Sequence, residues 1–465
     1  MRQFISNDFL LESASAINLF HDYVSGLPII DYHCHLSPED IAKDRQFGNI
    51  TEAWLENDHY KWRLMRANGV KEKYCSGAAP ARAKFTKWAE AIPHAIGNPV
   101  YHWSHLELKR HFDIDLLLSP STADRIWEEA NAALSMPGYS VRGLLKKFNI
   151  EVICTSDDPL DSLEHHKLVK NDDPGFRMLP GFRPDRAFNI DDGQSFNEYL
   201  DRLAEVSSSD IVSYDHFLLA MAKRIDHFAS SACKLSDHSF GSLPVVDFTL
   251  GDVRKIFDRV RSGREITGEQ TGMFRMALLR ELASLYALHG WTMQLHLGAL
   301  RNNNTGIFKL HGPDAGGDSI GDEKQARGLA SFLDSLDREN KLPPCIIYNL
   351  NPAFSEVIAS MTGNFQSCMP GKMQYGPAWW FLDNMKGIEE HLDTVANYGL
   401  LNNFVGMTTD SRSYLSFPRH EYFRRILCNM TGKRVEKGIY PDDKDLITAM
   451  VRNISYYNAK NYFNF

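Results

Sequence analysis

Three features that would assign a chain to a membrane, secreted or nucleic-acid-binding class are missing here. No run of about 18 apolar residues occurs, which excludes a membrane-spanning helix. The opening residues, MRQFISNDFLLES, carry acids early and contain no sustained apolar stretch, so we expect no secretory signal and no membrane partner. The formal net charge of -8 argues against a nucleic-acid partner, although it leaves room for an arginine-lined pocket that binds a small anion.

The cysteines are few and unpaired in pattern. Seven are scattered along the chain, and none forms a Cys-x-x-Cys motif. This odd, dispersed set favours reduced thiols in a cytoplasmic protein over a disulfide framework or a zinc ribbon. The chain also lacks GxGxxG and P-loop motifs, so we expect no nucleotide cofactor.

What the sequence does contain is material for a large core. With 465 residues, 43% of them apolar, the chain is long enough for two or three average domains or for one large α/β barrel with insertions. Short runs rich in Ile, Val and Leu recur between longer amphipathic stretches, and several end in polar residues. This layout predicts an α/β fold, a (β/α)₈ TIM-type barrel whose chemistry gathers at the C-terminal ends of its strands. The predicted strands are Ile29–Cys34, Ile150–Thr155, Arg177–Phe182, Ala232–Ser236, Thr292–Leu297, Cys345–Tyr348, Lys372–Gly376 and Phe404–Thr409.

The spacing of these strands is uneven. More than a hundred residues separate the first strand from the second, and their tryptophans fall on helix-like patterns. We therefore predict an N-terminal segment with the first strand (1–36), a large helical insertion (37–148) and the rest of the barrel (149–465). The Gly- and Asn-rich stretch 301–322 is predicted to be a long loop near a site.

The stretch PIIDYHCHLSPED places His33 and His35 at the end of an apolar run. In a strand, positions i and i+2 face the same side, so both imidazoles would converge as half of a divalent metal site. Among 18 histidines this spacing is weak evidence alone. A second stretch, GMTTDSR, delivers Asp410 at the end of the last predicted strand, which lies beside the first strand if the barrel closes. The alternative reading is that Asp410 merely caps a following helix.

Eight segments spread along the chain combine strand ends with polar residues: DYHCHLSPEDI (31–41), NDHYKWRLMRANGV (57–70), MLPGFRPDRAFNI (178–190), KLSDHSF (234–240), QLHLGALRNNN (294–304), YNLNPA (348–353), QYGPAWWFLDN (374–384) and GMTTDSRSYLSFPRHEYFRRILC (406–428). In sequence and order they resemble the uronate isomerase family of the amidohydrolase superfamily, and the resemblance covers essentially the whole chain. It implies the barrel, an aldose–ketose isomerisation and a hexuronate substrate, with D-glucuronate giving D-fructuronate and D-galacturonate giving D-tagaturonate.

His33, His35 and Asp410 are expected to bind one divalent metal. Zinc is the preferred candidate and manganese is the alternative. Superfamily members with two metals use a carboxylated lysine on the fourth strand and a histidine on the sixth. Alternation places Lys234 opposite to Asp237, and the sixth run, PCIIYNLNP, has no histidine. A single metal therefore fits this sequence better.

A uronate carries a carboxylate, which arginine holds with paired, charge-assisted hydrogen bonds. Arg183 and Arg412 follow strand ends and are the first candidates, while Arg301 and Arg63 are weaker ones. The competing reading for any one of them is a surface ion pair.

Isomerisation needs a general base, a general acid and a group that steadies the enediol. A metal-bound Asp410 is expected to be ionised and able to accept a proton. The resemblance implies that His59 and Tyr60 face the substrate, with Tyr60 relaying a proton to the oxygens and Arg412 assisting; read from the residues alone, Tyr60 is core packing.

Further substrate contacts are predicted at three more positions. His296 is the inward polar group after an apolar strand and is read as a ligand of metal or substrate, or as a core histidine. Trp380 is expected to floor the sugar pocket, with core packing equally open for Trp379. Of Asp237 and His238, we favour Asp237.

Two alternative functions stay open at this point. One is a mononuclear metal-dependent amidohydrolase or lactonase on the same fold, in which the metal activates water. The other is a non-catalytic carbohydrate-binding barrel, against which the gathering of ionisable residues at strand ends argues. A small-molecule hexuronate and a possible second copy of the chain are the expected partners.

Overall fold

The computed structural model describes residues 3–465, and within them the chain forms nine β-strands and twenty α-helices. The strands are β1 Ile29–Asp31, β2 Ile150–Cys154, β3 Arg177–Leu179, β4 Leu235–Phe240, β5 Thr292–Leu297, β6 Ala299–Leu300, β7 Ser319–Ile320, β8 Cys345–Asn349 and β9 Met373–Tyr375. The helices are α1 Ala14–Asn18, α2 Pro38–Ala42, α3 Ile50–Leu55, α4 His59–Ala67, α5 Ala81–Ala91, α6 Pro99–Phe112, α7 Ala123–Leu134, α8 Val141–Lys147, α9 Glu164–Asp172, α10 Gly193–Ser207, α11 Tyr214–Ser230, α12 Leu250–Arg261, α13 Gly268–His289, α14 Thr305–His311, α15 Ala326–Asp337, α16 Ser355–Gly363, α17 Met385–Tyr398, α18 Pro418–Glu436, α19 Lys444–Arg452 and α20 Asn458–Phe463.

Two parallel sheets form the centre of the molecule. The first has the order β1–β2–β3 and the second the order β4–β5–β8–β9, while β6 and β7 make a short antiparallel pair. Phe182 joins the two sheets, because its N–H donates to the Leu235 carbonyl at 3.1 Å and its carbonyl accepts from the Asp237 N–H at 2.9 Å. The prediction of an α/β fold with parallel strands is confirmed.

The predicted eighth strand, Phe404–Thr409, is not a strand. Gly406 has a φ of +86°, outside the extended region, and a side chain replaces a ladder bond, since the His33 N–H donates to Thr408 Oγ1 at 3.0 Å. The segment nevertheless lies beside β1, because the Asp410 N–H donates to the His33 carbonyl at 3.1 Å. No closed eight-stranded ladder therefore exists among residues 3–465.

Other strand boundaries differ from the predicted ones for local reasons. The fourth strand begins at Leu235 rather than Ala232, because Ala232 has a φ of +63° in the turn that follows α11. The first strand ends at Asp31, so His33 and His35 lie in the segment just beyond it. The fifth strand, Thr292–Leu297, matches its prediction.

Residues 38–147 contain seven α-helices, α2 to α8, and no strand. Their starts follow the expected capping chemistry. Asp58 caps α4 by accepting the Lys61 N–H at 3.1 Å, and Asn98 caps α6 by accepting the Val100 N–H at 3.0 Å, ahead of a proline at the first helical position. These caps fix where α4 begins, and with it His59 and Tyr60.

Alternation along the central strands separates the core from the polar interior. On β5, Met293, Leu295 and Leu297 join an apolar cluster with α10 to α13 and α15, whereas Gln294 and His296 are buried on the other side of the strand. Polar side chains thus point inward from β5 towards the ends of the neighbouring strands. Within residues 3–465, no helix combines the length and apolarity that crossing a membrane requires.

Candidate active site and metal centre

His33, His35 and Asp410 meet where the segment after β1 touches the segment 404–410. Nε2 of His33 lies 3.1 Å from Asp410 Oδ1, and Nε2 of His35 lies 3.0 Å from the same oxygen. The His33 side chain is 1% exposed, while His35 and Asp410 are about one-fifth exposed. The three groups predicted as metal ligands are therefore brought together, with the open side on His35 and Asp410.

The electrostatics of Asp410 favour its ionised form. Burial raises its pKa, but hydrogen bonds and charge from His33 and His35 outweigh burial and hold the pKa well below its usual range. The Asp410 backbone has a φ of +47°, a left-handed conformation that non-glycine residues adopt at some energetic cost. The fold thus holds a strained, ionised carboxylate against two imidazoles.

The donor set fits a divalent metal. Two imidazole nitrogens and one carboxylate oxygen lie within 4.8 Å of one another and leave coordination positions free. Nδ1 of His33 is buried without a hydrogen-bond partner and lies 3.9 Å from Asp237 Oδ2, beyond hydrogen-bond distance. His33, Asp237 and His296 form a second such group of three, but Asp237 already accepts other bonds.

Asp237 is the centre of a buried network behind the three ligands. Its Oδ2 accepts a hydrogen bond from the Arg183 guanidinium at 2.8 Å, and its Oδ1 lies 2.7 Å from His296 Nδ1. The Arg183 Nε also donates to Asp185 Oδ2 at 2.9 Å. Burial raises the pKa of Asp237, but the Arg183, His33 and His296 charges hold it well below the usual range. Arg183 therefore faces the site with two carboxylates already bound.

His296 and His238 lie on different sides of their strands. The His296 ring stacks on Tyr348 with centroids 4.0 Å apart and lies 4.8 Å from the His33 ring. His238 packs instead edge-on against Phe188, away from the metal ligands. This supports Asp237 rather than His238 as the polar group at the site.

Arg412 and Arg301 converge on the predicted loop. Arg412 donates to Asp314 Oδ2 at 2.9 Å, and Arg301 lies 3.3 Å from Asp318 Oδ2 and 4.8 Å from the Trp380 ring centroid. The stretch 301–322 thus reaches the site, although it also contains α14 and β7. Arg63 acts differently, because it donates to carbonyls of this stretch and holds it in place.

A cavity of about 600 Å³ is lined by Arg183 and Arg301 but not by Arg412. Its polar lining is Arg183, Asp185, Asn189, Ser239, Ser242, Thr271, Arg275, Arg301, Asn302, Asp314 and Asp318. A second cavity of about 30 Å³ is bordered by Tyr60, Asp410, Arg412 and Arg419. The larger cavity reaches the predicted metal ligands through Arg183, whose Nη1 lies 3.4 Å from His35 Nε2, and the smaller one borders Asp410 itself.

His59, Tyr60 and Trp380 come from two distant parts of the chain. The His59 ring lies edge-on to Trp380 with centroids 5.4 Å apart, and Trp380 has a φ of +51°. The Tyr60 hydroxyl donates to Asp383 Oδ2 at 2.9 Å. Helix α4 thus carries both predicted residues to the site, as the resemblance implies.

Several contacts at the site have no signal in the sequence. The Trp379 indole N–H donates to Asp410 Oδ2 at 2.5 Å, and Arg419 donates to Asp383 at the same distance. The stretch AWWFLDN holds Trp379 and Asp383 in an irregular segment without periodicity, so alternation gives no signal for either side chain. Arg419 lies in a helix, where an arginine predicts an exposed ion pair. Lys234, as predicted, borders a different pocket and is not at the site.

Comparison with known proteins adds independent findings. A family model described as glucuronate isomerase matches residues 1–463. The uronate isomerase of Bacteroides fragilis is 47% identical over 468 residues and covers 100% of both chains. That of Caldanaerobacter subterraneus is 50% identical over 464 residues and covers 99% of both.

Solved structures give the same picture. The uronate isomerase of Thermotoga maritima superposes with a TM-score of 0.93 at 36% identity, covering 99% of this chain and all of the other. The glucuronate isomerase of Caulobacter crescentus has a TM-score of 0.91 at 26% identity and covers 99% and 97% of the two chains.

Proposed function

The chain belongs to the glucuronate isomerase family and is an aldose–ketose isomerase of sugar acids, and from that premise we propose how its residues carry out the reaction. We propose that it converts D-glucuronate to D-fructuronate and also D-galacturonate to D-tagaturonate. The observation that carries the proposal is the cluster of His33, His35 and Asp410 beside an arginine-lined cavity of about 600 Å³.

His33, His35 and Asp410 would hold one divalent ion, which we propose to be zinc. When bound, such an ion polarises a substrate oxygen as a Lewis acid. The buried network of Asp237 and Arg183 keeps the His33 ring in orientation, and Trp379 does the same for the carboxylate of Asp410. The ligand geometry is then set by the protein before substrate arrives.

The substrate carboxylate would bind Arg412, Arg301 and Arg183, whose planar guanidinium groups form paired bonds to carboxylates. In the free enzyme these arginines bind Asp314, Asp318, Asp185 and Asp237, so the incoming carboxylate would compete with protein carboxylates. Trp380 would lie under the sugar carbons, with His59 and His296 bonding to its hydroxyl groups.

Asp410 accepts the proton that leaves carbon 2, and Tyr60 relays protons between the oxygens of the enediol. The low pKa of Asp410 keeps it ionised and able to accept. Arg412, two residues further on, would stabilise the negative charge of the enediolate. The proton returns to carbon 1 and completes the ketose.

The remaining sequence predictions fit this proposal. We propose that the segment 404–409 closes the sheet into a (β/α)₈ barrel and that 37–148 is a helical insertion in it carrying His59 and Tyr60. In this proposal 1–36 is an N-terminal segment with the first barrel strand, and 149–465 is the remainder of the barrel with C-terminal helices. We place the enzyme in the cytoplasm, where it acts on a small-molecule hexuronate. We also propose that the chain associates with further copies of itself.

The test is direct observation of the product. Purified protein is incubated with D-glucuronate or D-galacturonate in deuterated water with added zinc, and NMR follows the ketose and deuterium at carbons 1 and 2. We expect ketose formation, and at least a hundredfold lower kcat for Asp410→Asn and Tyr60→Phe, since acid–base groups contribute about 10²–10⁴-fold. Hydrolysis of lactones or amides without any ketose would favour the hydrolase alternative.

A further inference from the structure

Asp383 is a buried carboxylate that lies behind Tyr60. It follows the short helical turn Trp380–Leu382, and only 7% of its surface is exposed. The Tyr60 hydroxyl donates to its Oδ2 at 2.9 Å, and the Arg419 guanidinium donates to the same oxygen at 2.5 Å. One carboxylate oxygen therefore holds the phenol of α4 and the guanidinium of α18 together.

Charged and aromatic groups surround this contact on each packed element. Arg419 lies 4.4 Å from the Trp103 ring centroid and 5.7 Å from that of Tyr60. Asp410, which directly follows the segment 404–409, carries a negative charge that raises the pKa of both Tyr60 and Asp383. Among residues 3–465, Arg419 is the cation that forms an ion pair with Asp383, and its guanidinium packs on the Trp103 and Tyr60 rings.

These surroundings adjust the proton affinities of the pair. Burial raises the pKa of Asp383 to about 7, against the opposing effects of Arg419 and the Tyr60 hydrogen bond and with a smaller contribution from Asp410. Burial, with the charges of Asp383 and Asp410, also raises the pKa of Tyr60 well above 10. Tyr60 therefore does not ionise alone, and it passes a proton only if a neighbouring group accepts one.

We propose that Asp383 is the proton acceptor behind Tyr60, a positioning residue through which the phenol exchanges protons with the substrate oxygens. This inference rests on the proposed role of Tyr60 in isomerisation. Arg419 holds the Asp383 carboxylate against the phenol, and Tyr60 shares a small cavity with Asp410 and Arg412, the proposed base and the proposed enediolate-stabilising residue.

The step balances without any co-reactant. Removal of the proton on carbon 2 by Asp410 leaves an enediolate whose oxygen 1 carries the negative charge and no proton. Its carbon 2 hydroxyl loses its proton to the Tyr60 oxygen as the Tyr60 O–H bond breaks and the Tyr60 proton passes to Asp383 Oδ2. The electron pair left on oxygen 2 forms the new carbonyl, and the electron pair of the carbon–carbon double bond takes the proton from Asp410 at carbon 1. Asp383 then returns its proton to Tyr60, and Tyr60 protonates oxygen 1. At the oxygens, the net change is one proton moved from oxygen 2 to oxygen 1.

The experiment compares four variants with the wild-type holoenzyme: Asp383→Asn, Tyr60→Phe, the double variant and Glu421→Gln. Asparagine keeps an oxygen that accepts the Tyr60 bond but takes no proton. Glu421 is the matched control, because it is a carboxylate on α18 bound by Arg110 and Arg425 outside the site. For each protein, kcat and KM are measured from pH 5.5 to 9, with thermal unfolding as a check of folding.

We expect Asp383→Asn to lower kcat about 100-fold with KM changed less than about threefold. Because Asp383 accepts a proton only when ionised, wild-type kcat should fall as the pH drops below about 7, and this limb should be absent in Asp383→Asn and in Tyr60→Phe. The double variant should be no slower than Tyr60→Phe, and Glu421→Gln should retain the wild-type kcat and profile.

The outcomes separate the two levels of the proposal. If the wild-type enzyme forms no ketose from either uronate, the proposed function fails. If the wild-type enzyme does form ketose, two results overturn the relay. One is a wild-type kcat for Asp383→Asn. The other is a kcat of the double variant that lies below that of Tyr60→Phe by the same factor as Asp383→Asn lies below wild type. Should Asp383→Asn fail to fold, the Tyr60→Phe profile decides, because retention of the limb below about pH 7 would reject the relay.

Discussion

The Trp379 side chain contacts Asp410, one of the three proposed metal ligands. Its indole N–H donates to Asp410 Oδ2 at 2.5 Å, and its ring meets the His296 ring edge-on at 4.6 Å. The contact leaves Asp410 Oδ1 for the two histidines. A tryptophan that sequence alone assigns equally to the core therefore orients one of the ligand groups.

We expect Trp379→Phe to lower kcat and zinc affinity about 10–100-fold each, because groups that orient metal ligands contribute on that scale. Steady-state kinetics and competition with a chelator measure the two effects. Trp127→Phe is the control for the loss of an indole, because Trp127 packs on Phe85 in the helical region 38–147 and not at the site. Values within twofold of wild type for Trp379→Phe would contradict the assigned role.

The buried carboxyl of Asp157 makes the stability of the protein depend on pH. It is 4% exposed and accepts hydrogen bonds from the Thr155 hydroxyl at 2.7 Å and the Gly181 N–H at 3.2 Å, both at Oδ2. Burial raises its pKa to about 7, above the value of 3.8 expected in the unfolded chain. Its contribution to stability is therefore complete below about pH 4 and is lost as the pH rises through about 7.

Asp157→Asn should behave as the permanently neutral form and keep both accepted bonds. We expect the variant to match the wild-type thermal midpoint near pH 4 and to exceed it increasingly up to pH 8, by on the order of 2–4 kcal/mol in unfolding free energy. Asp258→Asn, on the exposed face of α12, should show no such trend. If the difference in stability between Asp157→Asn and the wild type stayed constant with pH, the pKa of the Asp157 carboxyl would not be raised by burial.

Single residues were predictable where a strand end or a motif fixed them. His33, His35 and Asp410 follow apolar runs, so position and chemistry together indicated a metal site. Trp379 and Asp383 lie in an irregular segment, and nothing local shows where an irregular backbone directs a side chain. Their roles depend on distant partners such as Tyr60 and Arg419, which only the folded chain brings near.

At the scale of elements, α1 and α18 approach closely at Gly432. A Cβ added there would meet the Ala16 Cα at 2.7 Å, which is closer than non-bonded atoms approach. The Ser15 N–H also donates to Glu436 Oε1 at 3.0 Å, so both ends of the contact are fixed. The glycine thus sets the distance between the first and the eighteenth helix.

Gly432→Ala should destabilise the protein by about 1–3 kcal/mol, because the backbone of α1 must move to admit a methyl group. Gly363→Ala is the matched control, since Gly363 also lies in a helix and a Cβ there would meet nothing within 4 Å. Chemical denaturation of both variants measures the effect. Equal midpoints for the two alanine variants would show that the helices adjust freely.

Elements were predictable to different degrees for physical reasons. The run Thr292–Leu297 alternates buried apolar and inward polar residues, so its strand follows from the pattern. The segment Phe404–Thr409 is equally apolar, but Gly406 leaves the extended conformation and Thr408 binds the neighbouring backbone through its side chain. Apolar composition predicts burial of such a segment without predicting a ladder.

At the scale of the whole molecule, Asp31 joins the beginning of the fold to its end. Its Oδ1 accepts the Thr409 N–H and the Thr408 hydroxyl, both at 2.7 Å, and its Oδ2 accepts the Thr409 hydroxyl at 2.5 Å. These residues are more than 370 positions apart in sequence. The carboxylate bonds take the place of a ladder between β1 and the last segment, two residues before His33 and one before Asp410.

Loss of this join should therefore weaken the metal site as well as the fold. Asp31→Ala leaves the Thr409 N–H and the Thr409 hydroxyl without an acceptor, at a cost of about 1–3 kcal/mol for each unsatisfied group, whereas the Thr408 hydroxyl keeps the His33 carbonyl at 2.6 Å. We expect a lower thermal midpoint and a zinc affinity reduced about 10–100-fold, measured by unfolding and chelator competition. Asp31→Asn keeps one acceptor oxygen and should lose less of both, whereas Asp258→Ala should lose neither. If Asp31→Ala keeps wild-type zinc affinity while its midpoint falls, the join stabilises the fold without positioning His33 against Asp410.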